Sequence, residues 1–410
     1  MSLPKKMKPI YLLFRKINAY LRRTPVAWLQ LSHQKVRLLV AILGVAFSII
    51  LIFTQLGLRA MLFDGVTLLP EHLNGDLYLI STYADNIRDS EFPNIYLYQA
   101  DAVPGVADVR PLYVGYGRWV NPKLLDAEEK ANIKSSSMQI IAFNPNKPVL
   151  QIPEVDRQLN LLSVPGGILY DRLSKLESGN IPQLFAEKGR VSSLISNRRV
   201  TVMGLFDLGS TFYYDSVAIM SDWNYGQIRG AERLNEVSLG IISLEPGANP
   251  QTVIEHIQNT LSKDIKVLTK AELAQAEKDE VATWSEGKVL NFGAAIGFVV
   301  GIIIVYQVIY TDVSEHLPEY ATLKAMGYKD RDLSLVVLQE SLILAVMGFI
   351  PGYLASFGVY YLMTNFTELS VTMNTGIALR VFTLNILMCI ISGAIAIKKL
   401  RTADPADIFH

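Results

Sequence analysis

Few residues in this 410-residue chain are spaced for chemistry. The five histidines, His33, His72, His256, His316 and His410, are scattered, and no HExxH or other metal-ligand spacing occurs. The single cysteine, Cys389, lies in an apolar run, so no intrachain disulfide is possible and redox compartment cannot be read from it. A phosphate-cradling GxxxxGK(S/T) loop is missing. The one Gly-Lys pair, Gly287-Lys288, lacks both the upstream glycine and the following hydroxyl residue. No serine, cysteine or carboxylate constellation stands out as a nucleophile with its base.

Two patterns point to recognition instead. Gly293, Gly297 and Gly301 recur every fourth residue and fall near one face of a helix, where they let another backbone approach closely. That face suits a seam between two copies of the chain, and equally ordinary packing inside one copy. The second pattern is residues 312–332. Pro318 suits the first turn of a short helix and Gly327 its end. Tyr320, Leu323 and Met326 lie close to one side. Such a helix fits a groove on another protein, or is a plain surface connector.

The elements that must carry these patterns are membrane spans. Half of the residues are hydrophobic and 19% are charged, and the apolar excess collects in four uncharged runs. These are residues 38–58, 289–311, 341–367 (a segment that begins near Leu333) and 381–397. Twenty-one residues at about 1.5 Å each cross the roughly 30 Å hydrocarbon layer. The fourth run is at the short end of the range. The alternative, a soluble protein with buried helices, has difficulty housing four such runs. The first run is too long for the core of a cleaved signal peptide and no A-x-A site follows, so it is expected to stay as an anchor.

Charge sets the expected orientation. The first 37 residues hold nine Lys/Arg and no Asp/Glu, which predicts a cytoplasmic N-terminus. Four spans then place Lys398, Lys399 and Arg401 inside as well, with residues 312–332 inside and 59–288 outside in the periplasm, in a chain of the inner (plasma) membrane. The outside segment holds 22 basic and 29 acidic residues, and long loops cross largely regardless of charge. The overall balance of 38 basic and 38 acidic residues speaks against nucleic-acid binding. Before the first span, Leu13, Ile17 and Leu21 alternate with Arg15, Lys16, Arg22 and Arg23, and Thr24-Pro25 resembles a helix cap. That segment reads as a helix on the inner leaflet, or as a solvated basic arm.

The predicted fold is thus membrane α-helical, with four transmembrane helices and a large α+β periplasmic domain inserted between helices 1 and 2. The expected boundaries are a basic arm 1–37, spans 38–58, 289–311, 333–364 and 381–397, the domain 59–288, an inner loop 312–332, a short outer loop 365–380 and a tail 398–410. Inside the domain, residues 76–81, 109–120, 199–206, 211–220, 237–244 and 265–268 read as strands. Residues 95–102 and 250–261 read as helices, and the polar stretch 121–137 as a loop. The two strand–helix–strand units at opposite ends imply split halves that pack together. Residues 270–288 look helical and suggest a continuous rod into the second span.

The stretch EYATLKAMG at 319–327, then Glu340-Ser341 and Gly348, resembles the E-x-G-x-L-(K/R)-A-x-G…E-S…G pattern of FtsX/MacB-type ABC transporter permeases, also called type VII. Ala321 stands where that family often has glycine. The tail DPA at 404–406 and the four-span plan are similar too. Within the family, residues 24–31, 35–40 and 405–409 look most like the DevC group of cyanobacterial exporters. The resemblance implies a non-catalytic subunit that works as a homodimer with separate ATPase subunits, which would bind ATP and magnesium; no cofactor is expected in this chain itself. It further implies a periplasmic membrane-fusion adaptor and a TolC-like outer-membrane channel as partners, and membrane lipids around it. Glu319, Tyr320, Leu323, Lys324, Ala325, Met326 and Gly327 would form the ATPase-coupling helix. Force would pass to the periplasmic domain by mechanotransmission, and the cargo would be lipid-like, with a glycolipid as one case. The alternatives are an FtsX-like signalling scaffold that switches cell-wall hydrolases and a lipoprotein-releasing permease.

Overall fold

The computed structural model describes residues 35–124, 135–209, 211–369 and 373–402. The basic arm before residue 35, most of the expected loop 121–137 and the DPA tail lie outside the described residues. The chain divides into two compact units, one of Met1–Gly57, Leu290–Leu362 and Thr372–His410, the other of Leu58–Val289 and Met363–Val371.

In chain order, α1 (Lys35–Glu71) comes first. The inserted domain then holds β1 (Leu77–Ser81), β2 (Phe92–Pro93), α2 (Ile95–Asp101), β3 (Val106–Val120), β4 (Ser135–Phe143) and β5 (Gly167–Asp171). It continues through α3 (Ile181–Lys188), β6 (Val191–Ile195), β7 (Arg198–Phe206), β8 (Ser216–Ser221) and α4 (Asp222–Arg229). Its last part is β9 (Glu236–Val237), β10 (Leu239–Leu244), α5 (Pro250–Thr260), β11 (Ile265–Thr269) and α6 (Lys270–Thr283). The remaining helices are α7 (Ser285–Glu315), α8 (Leu317–Ala325), α9 (Asp330–Thr367) and α10 (Thr375–Thr402). Four of these helices, α1, α7, α9 and α10, are long and apolar enough to cross a membrane.

In the membrane unit, α1 is the element on which the others pack. Its Ile49, Ile52 and Phe53 are fully buried. The glycine face of α7 lies on α1: a side chain at Gly293 would overlap Gln55, and one at Gly297 would touch Ile52 at 3.4 Å. Gly301 backs onto Ser48 and Met388. The expected seam for a second copy is therefore taken up by packing within the chain, because the small residues let α1 itself come close. On α9, Gly348 abuts Val45 and Gly352 abuts Ala46 and Ile49 in the same way. Pro351 lies inside α9, which remains helical through it. Polar cross-links complete the bundle. Tyr360 Oη donates to the Phe53 carbonyl at 2.8 Å, Asn385 Nδ2 to that of Ala345 at 2.8 Å, and Ser392 Oγ to that of Ile302 at 2.9 Å. Helix α10 begins ahead of Arg380, so the uncharged run understated its length.

The inserted domain is built on a nine-stranded sheet, in the order β11-β1-β10-β3-β4-β8-β5-β7-β6. The strands at the two ends of the insertion meet: β1 pairs antiparallel with both β10 and β11. The long β3 then links this half to the other, and the far strand β6 returns to β3 at Trp119 and Ile195. Alternation along β1 feeds two cores. Leu77 and Leu79 enter one apolar cluster with α2 and α5, while Tyr78 and Ile80 enter another with Leu73 and Leu273. Trp119 is fully buried and donates its indole N–H to the Ser178 carbonyl at 2.8 Å.

The expected rod over 270–288 is interrupted. Helix α6 starts with a Thr269/Glu272 capping box and stops at Trp284, whose backbone is extended at ψ 155° before α7 begins. The Trp284 ring meets Tyr213 edge-on at 4.8 Å, Arg88 covers its face at 4.9 Å, and its N–H donates to Glu280 at 3.0 Å. These contacts hold the residue out of helical register. The strand expected at 211–220 starts only at Ser216, the loop expected over 121–137 gives way to β4 at Ser135, and β4, β5, β6, α3 and α4 had no counterpart in the sequence reading.

Candidate functional site

The residues 319–327 form most of α8 and its end. The helix is bracketed on both sides. Before it, the Glu315 carboxylate at the end of α7 takes a two-pronged hydrogen bond from the Arg37 guanidinium of α1. His316, the residue ahead of the helix, sets Nδ1 3.2 Å from the Glu319 carboxylate and Nε2 3.9 Å from that of Asp312. Pro318 lies in the first turn, where its missing N–H costs nothing. Beyond the helix, Lys324 Nζ meets Asp330 at 3.0 Å, joining α8 to the first turn of α9. Gly327 has φ +99°, a left-handed value that a glycine adopts without strain. Its N–H donates to Lys324 and that of Tyr328 to Leu323, so the last carbonyls are satisfied as the chain turns.

The apolar stripe expected on α8 is divided by this geometry. Tyr320 is buried at 3% exposure and serves as the helix's anchor in its own unit. Leu323 is half-buried. Met326 is 65% exposed and Tyr328 52%. Met326 is the C-cap after Ala325, its N–H still bonded to the Thr322 carbonyl at 3.0 Å, and six residues on from Tyr320 it lies about 120° around the helix from it. Glu319 is exposed. The exposed side of this stretch is therefore Glu319, the edge of Leu323, Met326 and Tyr328, with Tyr320 behind it. Gly293, Gly297 and Gly301 are not part of this surface.

Arg37, Asp312 and Glu315 belong to the same constellation and were not singled out from the sequence. Their signal was the clustering of acids and a histidine at one helix end. Deeper in the same unit, Glu340 is 1% exposed and neither carboxylate oxygen has a hydrogen-bond partner among the described residues. Intramembrane carboxylates of this kind are costly and mark function more often than packing.

In the inserted domain, Glu277 is the buried titratable group missed by sequence reasoning. It lies on α6 between Leu273 and Val281, all three buried along one stripe. Its carboxylate accepts the Ile87 N–H at 2.6 Å and lines a half-open cleft with Arg88, Tyr116, Gln139 and Tyr214. Burial pushes its pKa up to about 7, against the pull of the Ile87 N–H and the nearby Arg88. Tyr116 Oη and Gln139 Oε1 are buried there without a partner among the described residues. Its one signal in the sequence was an acid spaced four residues from both Leu273 and Val281.

Four membrane-length helices, a sheet-rich domain inserted after the first and a bracketed short helix between the second and third define a polytopic membrane protein with one large insertion. Residues 291–405 match the family model of the FtsX-like permease C-terminal domain. The chain is also 25% identical over 224 residues to a protein of Bdellovibrio bacteriovorus named macrolide export ATP-binding/permease protein MacB. That alignment covers 54% of this chain and 32% of the relative, so the chain spans about a third of that relative's length. Two solved structures resemble the inserted domain more distantly. One is the extracellular domain of the noncanonic ABC-type transporter YknZ from Gram-positive bacteria, at 11% identity and TM-score 0.31, covering 48% of this chain and 100% of that one. The other is the periplasmic region of MacB from Actinobacillus actinomycetemcomitans, at 11% identity and TM-score 0.32, covering 50% and 92%. Likeness at that level carries no weight for function. Residues 291–405 are thus similar to the FtsX-like permease domain, and the chain resembles ABC permeases of the FtsX/MacB type.

Proposed function

We propose that this chain is the permease subunit of an ATP-driven export system of the inner membrane, in which α8 receives the stroke of a separate cytoplasmic ATPase. The observation that carries the reading is the bracketing of α8. His316–Glu319 and Lys324–Asp330 tie α8 to the end of α7 and the start of α9, Arg37–Glu315 ties that end of α7 to α1, and Met326 stands exposed at the far end of α8. A short helix fixed at both ends moves as a unit with the helices it is bonded to. Closure of an ATPase against Glu319, Leu323 and Met326 would thus be relayed along α7 and α9 rather than absorbed locally. In this reading the termini and α8 are cytoplasmic and the inserted domain is periplasmic.

The finer assignments follow the resemblance. The chain acts as a homodimer, as in the DevC group, with a membrane-fusion adaptor and a TolC-like channel completing a tripartite path. ATP and magnesium belong to the partner. The cargo is lipid-like, with a glycolipid as the leading case; the relative's name, a macrolide exporter, also points to a hydrophobic load. With the glycine face of α7 used internally, the face open to a second copy carries Phe292, Ile296, Val299 and Ile303. They are 47–68% exposed and spaced by four, three and four residues, the seam period of paired helices.

The test replaces Leu323 and Met326 by Asp. The expected outcome is that the subunit still inserts and folds but no longer retains the ATPase or stimulates its turnover. Normal association and transport would remove α8 from the coupling path.

A further inference from the structure

The geometry points to a lipid-docking edge on the inserted domain, in which Leu173, Leu176, Phe212 and Phe366 enter the bilayer surface on the domain's own side of the membrane. Leu173 and Leu176 follow β5 and are 52% and 59% exposed. Phe212, in the segment before β8, is 48% exposed, and Phe366, in the last turn of α9, is 84% exposed. An exposed apolar side chain is unremarkable alone. Here three separate stretches of chain are bonded to one another at the place where these side chains emerge.

The Lys175 N–H donates to the Asp215 carbonyl at 2.8 Å and its ammonium pairs with the Asp215 carboxylate at 2.8 Å. This fastens the Leu173–Leu176 loop to the segment that carries Phe212. The Glu368 carboxylate accepts the Leu176 N–H, which fastens the same loop to the residue that follows α9. Helix α9 is uncharged from 341 to 367. Its 27 residues at about 1.5 Å each reach ~40 Å, the hydrocarbon layer together with its polar margins. Leu176 is thus one hydrogen bond from the point where a span leaves the lipid. Phe212 is placed independently. Its neighbour Tyr213 packs on Trp284, which precedes the uncharged run 289–311 by five residues.

A protein surface is the competing occupant of such an edge. Lipid is favoured because the edge continues two span ends. Beside it, Arg88 lies against both the Tyr213 and Trp284 rings, the amphipathic kind of cluster that gathers at bilayer margins.

The experiment uses the full chain with Cys389→Ala, adding Leu176→Cys or Phe212→Cys and, as control, Tyr98→Cys at a 69% exposed site on α2. Each thiol carries an environment-sensitive fluorophore, and the protein is placed in phosphatidylethanolamine/phosphatidylglycerol vesicles. Labels at 176 and 212 are expected to shift to the blue, to lose intensity to a nitroxide carried on the lipid, and to resist aqueous iodide. The label at 98 is expected to do the reverse. Iodide quenching at 176 and 212 equal to that at 98 would overturn the proposal. So would protection from both quenchers, which would mean that protein covers the edge.

Discussion

At the scale of single residues, the sequence separated positions by type and left their direction undecided. Tyr320, Leu323 and Met326 read as one stripe. In the fold Tyr320 goes in, while Met326, the C-cap of α8, is exposed. Glu277 shows the opposite failure, since a charged letter in a polar-looking helix hides a core position. Its chemistry predicts a pH effect with a definite sign. The folded-state pKa, raised by burial to about 7, exceeds the ordinary value of 4.5, so the ionised form is disfavoured in the fold. Stability is then full below about 4.5, declines as pH rises through the interval up to about 7, and stays lower above it. Thermal unfolding of the inserted domain should therefore occur at lower temperature at pH 8 than at pH 6. Glu277→Gln should flatten this dependence, and an unchanged slope would assign it to other groups.

At the scale of elements, the spans were legible because an uncharged apolar run of about 20 residues has few places to go besides a bilayer. The partners of their faces were not, because a glycine stripe specifies close approach without naming what approaches. Gly352 illustrates the specificity gained in three dimensions. A Cβ there would lie 2.9 Å from the Ile49 Cβ and 3.1 Å from the Ala46 Cα, and backbone cannot step aside. Gly352→Leu should cost about 1–3 kcal/mol through overpacking, read as a lower midpoint of unfolding in detergent. The opposite face of α7 gives the complementary prediction. In a Cys389→Ala chain, Ile296→Cys should form a disulfide-linked dimer in membranes upon mild oxidation, whereas Gly297→Cys, facing α1, should not. Cross-linking only at 297 would reverse the assignment of the two faces. The break at Trp284 was invisible in sequence for a related reason: residues 270–283 hold neither glycine nor proline and read as helix, and Tyr213 and Arg88, which pack on Trp284, are distant in the chain.

At the scale of the whole molecule, the plan of four spans with one large insertion was readable from the distribution of charge alone. The meeting of the first and last strands of the insertion was anticipated as split halves that pack together, without the pairing of β1 to both β10 and β11. Strand β5 escaped because a short strand buried at every position lacks alternation, and β6 because a serine, Ser193, takes an inward place and blurs the pattern. The meeting of the ends has a consequence for biogenesis. Leu77 finds its partners at Ile242 and Thr269, so β1 emerges from the ribosome long before anything can complete it. Until then its edges are unsatisfied, and the nascent segment needs shielding from aggregation. A chain cut after residue 235 should be degraded or held by chaperones rather than accumulate as a partial domain, which pulse labelling would reveal.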